Sequence, residues 1–133
     1  MKYSNLHLLQ LSALFPLILT SCIATDVSKG SSAAAEGYLQ ALAEKDVNMM
    51  INLSCAAWEA QAKQEFASFD AVDLTLENLQ CHESGQDGEA TLVACTGKMI
   101  ASYRAGEILE IDVADRNYRI VMEGGEWRMC GYP

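Results

Sequence analysis

The sequence predicts an α+β domain in which N-terminal helices pack on a curved, four-stranded antiparallel meander. Three observations predict it. Apolar residues recur at helical spacing over residues 31–69, and they alternate with polar residues from Val72 onward. Short segments rich in glycine and polar residues separate the alternating runs, as turns between strands do. Strands that follow the helices without interruption are expected to form one sheet, with the helices on one of its faces.

The apolar segment at residues 6–21 indicates where the domain resides. It follows Lys2 and is shorter than the roughly 20 apolar residues of a membrane-spanning helix, so it reads as a signal peptide. The residues LTSC, which end at Cys22, resemble the lipobox of bacterial lipoproteins. That resemblance implies cleavage before Cys22 and acylation, with palmitate-like chains, of its sulfur and amine. An ordinary signal peptide with a chance cysteine and an uncleaved anchor are the alternatives.

The predicted organisation therefore has three parts. Residues 1–21 form the signal peptide, residues 22–32 form a lipidated N-terminus and a small, polar, flexible tether, and residues 33–133 form one α+β domain. Two or three acyl chains anchor a protein stably in a bilayer, because each buried methylene contributes roughly 0.8 kcal/mol. The sequence thus predicts a lipid-anchored, extracytoplasmic protein of the bacterial cell envelope.

The charge argues against nucleic-acid binding. Eighteen acidic residues against nine basic ones give a formal net charge of −9, and no basic cluster occurs. Nucleic-acid recognition requires a positive surface, so no nucleic-acid partner is expected. The acidity instead favours solubility and repulsion from anionic membrane surfaces.

Four further cysteines predict two disulfides, because even numbers of cysteines in small exported domains form such bridges. They are Cys55, Cys81, Cys95 and Cys130. Their spacing lacks the C-x-x-C pairs of zinc sites, and His82 is the single histidine after the predicted cleavage site. No metal and no cofactor is therefore predicted.

Strand order favours one of the three cysteine pairings. Cys81 and Cys95 flank the turn SGQDG on neighbouring strands, whereas Cys130 lies two or three strands away from them in a simple meander. Adjacent strands are about 4.8 Å apart, and a disulfide needs Cα atoms within roughly 7 Å. Cys81–Cys95 and Cys55–Cys130 remain. A turn centred in SGQDG does not set Cys81 against Cys95, so a bulge or a wide loop is required.

Three helices are predicted before the sheet. Ser31 or Ser32 caps the first, AAAEGYLQALAEKD, with Glu36 near its positive end, and Asp46 caps the second, VNMMINLSC. The third is AAWEAQAKQEFASF. Each has one apolar face directed to the core: Ala35, Tyr38, Leu39 and Leu42; then Val47, Met50 and Ile51, with Ser54; then Trp58, Ala62, Phe66 and Phe69.

The strands are predicted at about 72–83, at about 89–103, and after the turn RAG. In the expected register Met99 faces Ile111, and Lys98 faces Asp112 as an ion pair on the polar side. The stretch VADRN reads as a bend. A final hairpin turns at two glycines, which aligns five apolar side chains on one face: Tyr118, Ile120, Met122, Trp127 and Met129.

Cys130 lies on the opposite face of that hairpin, which leaves two alternatives. Either helices cover part of the Cys130 face, or the Trp127 face is exposed and becomes buried in a homodimer.

The segment GGEWRM resembles the last hairpin of the nuclear transport factor 2-like superfamily, which has a cystatin-like α+β fold. EGYLQALAEKD resembles the opening helix of that superfamily. CTGKMIASY, followed by GEILEIDVADRNYRIVMEGGEWRMCGY, is similar to small bacterial lipoproteins that carry such a domain, most of them uncharacterised. The resemblance covers about residues 36–132 and implies a cone-shaped fold. The early hairpin of the full fold is missing, which implies a shallower pocket, and no functional residues carry over.

Three functions fit these features. The first is a membrane-tethered, non-catalytic module that binds a small apolar ligand or an envelope partner protein. Its candidate pocket residues are Tyr38, Met99, Tyr103 and Ile111. The second is a structural or accessory envelope protein that forms a homodimer through the Trp127 face. The third is an isomerase or cyclase with a tyrosine-lined pocket, which would need an inward acid. Because the predicted register places Glu110 and Asp112 outside, no catalytic residue is assigned, and the first function is preferred.

Overall fold

A computed structural model describes residues 30–133, so Cys22, the predicted signal peptide and most of the tether lie outside the described residues. The elements are α1 (Ser31–Ala43), α2 (Val47–Asn52), α3 (Glu59–Ser68), β1 (Asp73–Asp87), β2 (Ala90–Ser102), β3 (Ile108–Asp112), a 3-10 helix (Val113–Asp115), β4 (Asn117–Glu123) and β5 (Glu126–Met129). The α+β class and the order of helices before strands are confirmed. Within residues 30–133, no helix has the length and hydrophobicity required to cross a membrane.

The sheet is a four-row antiparallel meander whose third row is broken. Strand β2 pairs with β1 along one edge and with both β3 and β4 along the other, while β5 pairs with β4. The 3-10 helix separates β3 from β4 at the bend predicted for VADRN. This break lets the sheet curl around the helices, because the two parts of the row need not follow one straight line.

The registers of the last two hairpins are as predicted. Met99 pairs with Ile111 between β2 and β3, and Met122 pairs with Trp127 across the turn at Gly124 and Gly125. Both hairpins have short turns, which fix the register of the strands they join.

Lys98 faces Asp112 across the β2–β3 ladder as predicted, but the predicted ion pair between them is wrong. Lys98 Nζ lies 2.6 Å from an oxygen of Glu110, which precedes Asp112 by two residues on β3. The Asp112 carboxylate instead accepts the Ala114 N–H at 2.9 Å and so caps the 3-10 helix. Because the Asp112 carboxylate is engaged in this local cap, Glu110, which lies diagonally opposite Lys98 in the ladder, forms the ion pair instead.

The β1–β2 hairpin turns later than predicted. Asp87 pairs with Ala90, so Gly88 and Glu89 form the turn, and Gly88 adopts a φ of +61°, which glycine tolerates best. An uninterrupted ladder from that turn would place Cys81 one residue out of register with Cys95. A bulge at Ser84 shifts the register by one residue and sets the two cysteines opposite each other.

Both disulfides join the predicted partners. Cys81 and Cys95 have Cα atoms 4.0 Å apart, and Cys55 and Cys130 have Cα atoms 5.2 Å apart. Disulfides of this kind are stable in oxidising compartments outside the cytoplasm, so they indicate an extracytoplasmic environment for the domain.

Cys55 reaches Cys130 through backbone pairing. The Cys55 N–H donates to the Met129 carbonyl at 2.8 Å, and the Met129 N–H donates to the Leu53 carbonyl at 2.7 Å. Residues 53–55 therefore add to β5 as a short parallel segment, which places the two cysteines side by side at the edge of the sheet. This edge pairing explains the Cys55–Cys130 disulfide. The disulfide therefore requires neither helices over the Cys130 face nor a dimer, which were the two alternatives from the sequence.

The core lies between α1 and the concave face of the sheet. Its largest fully buried side chains are Tyr38, Leu42, Met50, Val93, Tyr118, Ile120 and Met129. Three of the five candidate interface residues, Tyr118, Ile120 and Met129, are therefore core residues of the domain itself. Trp127 is half-buried, and Met122 alone of the five is largely exposed, at 52%. The apolar face of the last hairpin faces inward because α1 packs on it.

The first helix begins differently from the prediction. Gly30 is the N-cap and supplies no side-chain bond, whereas Ser31 is the first helical residue, and its buried hydroxyl donates to Glu83 at 2.5 Å. Glu36 accepts the Cys81 N–H at 2.8 Å and so ties α1 to β1. The predicted cap of α2 is confirmed, since Asp46 accepts the Met49 N–H at 2.9 Å.

Candidate functional site

A cleft of about 230 Å³ opens between α1, α3 and the concave face of the sheet. Six apolar side chains line it: Leu39, Leu42, Phe69, Met99, Ile111 and Val113. Its polar lining comes from Glu65, Ser68, Asp112 and Arg116, together with Tyr118 and Tyr132. A hollow that combines apolar side chains with convergent polar groups is the usual form of a small-molecule site, so this cleft, half of whose lining residues are apolar, is the candidate functional site.

A second, wider depression of about 450 Å³ lies over the irregular middle of β1 and β2. A Cβ on Gly97 would approach the Glu77 carbonyl oxygen to 2.6 Å, so the backbones meet closely there. Five of its seven lining residues are polar or charged, and six are exposed. Because Ala114 supplies the one apolar side chain of this lining, the depression is the weaker candidate.

A partly buried hydrogen-bond cluster forms the polar end of the cleft. The Tyr38 hydroxyl donates to Glu65 Oε2 at 2.6 Å, and the Tyr132 hydroxyl donates to Glu65 Oε1 at 2.5 Å. The Trp58 indole N–H donates to the Tyr38 oxygen at 3.1 Å. Each oxygen of the Glu65 carboxylate therefore has a tyrosine donor, which stabilises the charge at this half-buried position.

Burial keeps the tyrosines of this cluster protonated. Burial raises the pKa of Tyr38 and of Tyr132 well above the usual range, and the negative charge of Glu65 raises both further. Burial also raises the pKa of Tyr118 to about 12, although the nearby charge of Arg116 acts in the opposite direction. The hydroxyls thus act as hydrogen-bond donors at physiological pH.

Arg116 lies over the ring of Tyr132, with its guanidinium carbon 4.7 Å from the ring centroid. The same ring makes edge contacts with Trp58 at 5.5 Å and with Tyr118 at 5.6 Å between centroids. Arg119 and Arg128 form ion pairs with Asp87 and Glu126, whereas Arg116 forms none within residues 30–133. The aromatic group thus positions a cation at the cleft without neutralising it.

Two of the four residues predicted for a pocket line the cleft. Met99 and Ile111 form its sheet wall, and Tyr38 lies fully buried beside it, where it holds Glu65 in place. Tyr103 is 39% exposed and lies apart from the cleft. It follows the last residue of β2, beyond the part of the sheet that the helices cover, so the alternation that set it inward no longer applies.

Glu65 is the residue that the sequence reading missed. It is an inward acid, whereas the predicted register had placed none inside the fold. A signal was present, because Trp58, Ala62, Glu65 and Phe69 recur at helical spacing on one stripe of α3. Among residues 30–133, no group of three histidine, cysteine or acidic side chains is arranged to hold a metal ion.

No protein-family model matches the chain, and no curated protein matches it. A SEC-C motif containing protein from Rhodopseudomonas palustris is similar in structure, with a TM-score of 0.52 and 13% identity over 77% of this chain and 78% of that one. Aln2 from a Streptomyces species has a TM-score of 0.44 and 12% identity over 72% of this chain and 80% of that one. The helical cell shape determining protein Pgp2 from Campylobacter jejuni has a TM-score of 0.48 and 9% identity over 76% of this chain and 38% of that one.

Of these three likenesses, the one with a TM-score above 0.5 bears on the fold, and on the fold alone. The similarity to the Rhodopseudomonas palustris protein shows a shared arrangement of helices and sheet. The small α+β domain with its curved antiparallel sheet is consistent with the nuclear transport factor 2-like cone that the sequence resembles.

Proposed function

We propose that the chain is a non-catalytic binding module, tethered to a membrane of the bacterial envelope through acylated Cys22, that holds a small apolar ligand in the cleft. The observation that supports it best is the cleft itself, half of whose lining residues are apolar side chains from α1, the end of α3, the sheet and the 3-10 helix. Apolar walls of this kind bind by removing ligand surface from water.

The size of the cleft sets the size of the ligand. At roughly 30 Å³ for a water-sized group, a volume of about 230 Å³ holds about eight non-hydrogen atoms. Pockets that bind drug-sized ligands have volumes of roughly 300–1,000 Å³. The ligand is therefore a small molecule, or the terminal part of a longer one that extends out of the mouth.

The cleft is preformed because its polar parts are tied to the fold. The Tyr118 hydroxyl donates to the Val113 carbonyl at 3.2 Å, and Tyr132 is held by Glu65. Binding to such a site costs little ordering of side chains, which favours affinity for a small ligand.

Binding is favoured over catalysis by the state of Glu65. A general base needs an oxygen within reach of the proton that it removes. Both oxygens of Glu65 already accept tyrosine hydroxyls, so the group acts as a fixed part of the wall. The homodimer alternative loses its main support, because the side chains assigned to its interface are mostly buried in the domain core.

The test is a titration of the full chain, as its host produces it, with 1-octanol as a neutral probe of the expected size. Amide and methyl NMR shifts locate the bound probe, and we expect them around Leu39, Phe69 and Met99. Ile111→Trp fills the cleft and is expected to weaken binding at least tenfold. Ile108→Trp makes the same change on the outside of the same strand, where Ile108 is 66% exposed, and is expected to have no effect. Unchanged binding in Ile111→Trp would refute the proposal.

A further inference from the structure

The charged groups around the cleft indicate which head group its ligand carries. We propose that the ligand is an apolar chain with a terminal carboxylate, and that this carboxylate binds Arg116. The inference rests on the proposed function, since it assumes that the apolar cleft holds the chain.

Arg116 is the charged group of the cleft that lacks a partner. Its guanidinium makes no ion pair within the described part of the chain, while Arg119 is paired with Asp87 at 2.6 Å. A guanidinium presents several N–H donors in one plane, an arrangement that matches the two oxygens of a carboxylate. Arg116 is exposed, so water solvates its donors, and a carboxylate at the cleft would replace that water with a matched pair of acceptors.

The position of Arg116 is set before a ligand arrives. Its guanidinium carbon lies 4.7 Å from the Tyr132 ring centroid, and Tyr132 is held in turn by Glu65 and by the edge of Trp58. Stacking on an aromatic face orients a guanidinium without consuming its charge. The side chain consequently loses little conformational freedom when it binds an anion.

The acids of the cleft are already engaged. Glu65 accepts two tyrosine hydroxyls, and Asp112 accepts the Ala114 N–H. Hydrogen bonding does not remove the negative charge of these two acids, so an anionic head group must lie at the Arg116 guanidinium, whose free N–H donors offset the repulsion. A cationic head group would have to compete with the donors that the acids already accept. Charges elsewhere on the acidic chain act weakly, because the Debye length is about 8 Å at physiological ionic strength.

The apolar side chains of the cleft and the positive charge of Arg116 together favour one kind of ligand. About eight carbon-sized groups fill the cleft of about 230 Å³, and the carboxylate lies where Arg116 lines its margin. Octanoate is thus the simplest probe. The same chemistry occurs in a free medium-chain acid and at the carboxyl end of a longer acyl chain. Titrations with decanoate and dodecanoate separate these two sources, because a closed cleft excludes the longer alkyl chains and an open cleft lets them extend out of it.

The experiment compares three probes that have eight carbon atoms each but different head groups: octanoate, 1-octanol and octylamine. Each is titrated into the full-length protein at about pH 7 with NMR detection. We expect octanoate to bind about tenfold more tightly than 1-octanol, and octylamine to bind no better than 1-octanol. Arg116→Gln removes the charge and is expected to reduce octanoate affinity at least tenfold while leaving 1-octanol unchanged. Arg104→Gln is the matched control, because Arg104 also forms no ion pair within residues 30–133 but lies in the β2–β3 loop.

Each other result overturns the inference in a distinct way. Tighter binding of octylamine would show that Glu65 and Asp112 select the head group. Equal loss of octanoate and 1-octanol in Arg116→Gln would show that the arginine only supports the fold. Binding of 1-octanol with no preference for octanoate would leave the proposed function intact and exclude the carboxylate. Failure of all three probes to bind would reject the proposed function together with the inference.

Discussion

Glu65 and Tyr132 are 67 positions apart in the sequence, yet the tyrosine hydroxyl donates to the glutamate at 2.5 Å. This bond ties the last residues of the described chain to α3. It also closes the polar end of the cleft, since both residues line it. One hydrogen bond thereby serves both the stability of the domain and the shape of its candidate site.

Loss of the Glu65 carboxylate is expected to destabilise the domain. Glu65→Ala leaves the hydroxyls of Tyr38 and Tyr132 without an acceptor, and each unsatisfied buried group costs about 1–3 kcal/mol. We expect the free energy of unfolding to fall by about 2–4 kcal/mol in urea titrations. Glu59→Ala on the same helix removes an exposed ion pair with Lys63 and an acidic group in the first turn, and is expected to cost about 1 kcal/mol or less. Equal losses in the two variants would contradict the role given to the cluster.

The two disulfides are expected to contribute unequally. Cys55 and Cys130 are 75 residues apart, whereas Cys81 and Cys95 are 14 apart. In the chain-entropy model these loops correspond to about 4.5 and about 3 kcal/mol, because the longer loop restricts the unfolded chain more. Guanidinium unfolding of the two paired Cys→Ala variants compares them. A larger loss from removal of the shorter loop would show that local strain or residual structure dominates.

Stability is expected to fall in alkali. Tyr118 in the unfolded chain loses its proton near its ordinary pKa of 10.0, whereas the folded domain holds that proton up to a pKa of about 12. Between these values the unfolded state binds fewer protons, so the free energy of unfolding decreases as pH rises, by at most about 1.4 kcal/mol per pH unit for this group. Tyr38 and Tyr132, whose pKa values are raised further, act in the same direction. Thermal unfolding from about pH 8 to about pH 11 measures the slope, which Tyr118→Phe is expected to reduce.

Cys22 is expected to carry the membrane anchor. A Cys22→Ala protein should lose its acyl mass and move from the membrane to the soluble fraction, because the chains that bury methylenes in the bilayer are gone. Mass spectrometry of the N-terminal peptide and cell fractionation measure the two effects. Absence of acyl mass on the unmutated protein, together with a variant that still sediments with membranes, would show an ordinary anchor in place of a lipobox.

The sequence was most informative where one local rule determines a whole element. The two glycines at 124 and 125 set the last hairpin, and alternation then paired Met122 with Trp127 correctly. The 81–95 and 55–130 pairings followed from strand spacing. In each case the deciding residues are close in sequence, or separated by regular structure of known dimensions.

The parts that depend on the tertiary fold were not predictable. The two cysteines predicted that a bulge or a wide loop is needed, but nothing local marks Ser84 as the position of the bulge that aligns Cys81 with Cys95. Glu65 lies on the apolar stripe of α3, but its two donors come from positions 27 residues before it and 67 residues after it. The cleft is where these distant segments meet, so its polar end could be recognised only once they were placed together.

The parallel pairing of residues 53–55 with β5 has a consequence beyond the disulfide beside it. Strand β5 would otherwise present unpaired backbone groups to any extended chain that approached, which is how sheets of separate molecules join. The short segment occupies that edge, and the Cys55–Cys130 bond keeps it there. Reduction of this single bond would free the edge as a template for strand addition, so we expect the reduced protein to aggregate through β5 before it loses its helices.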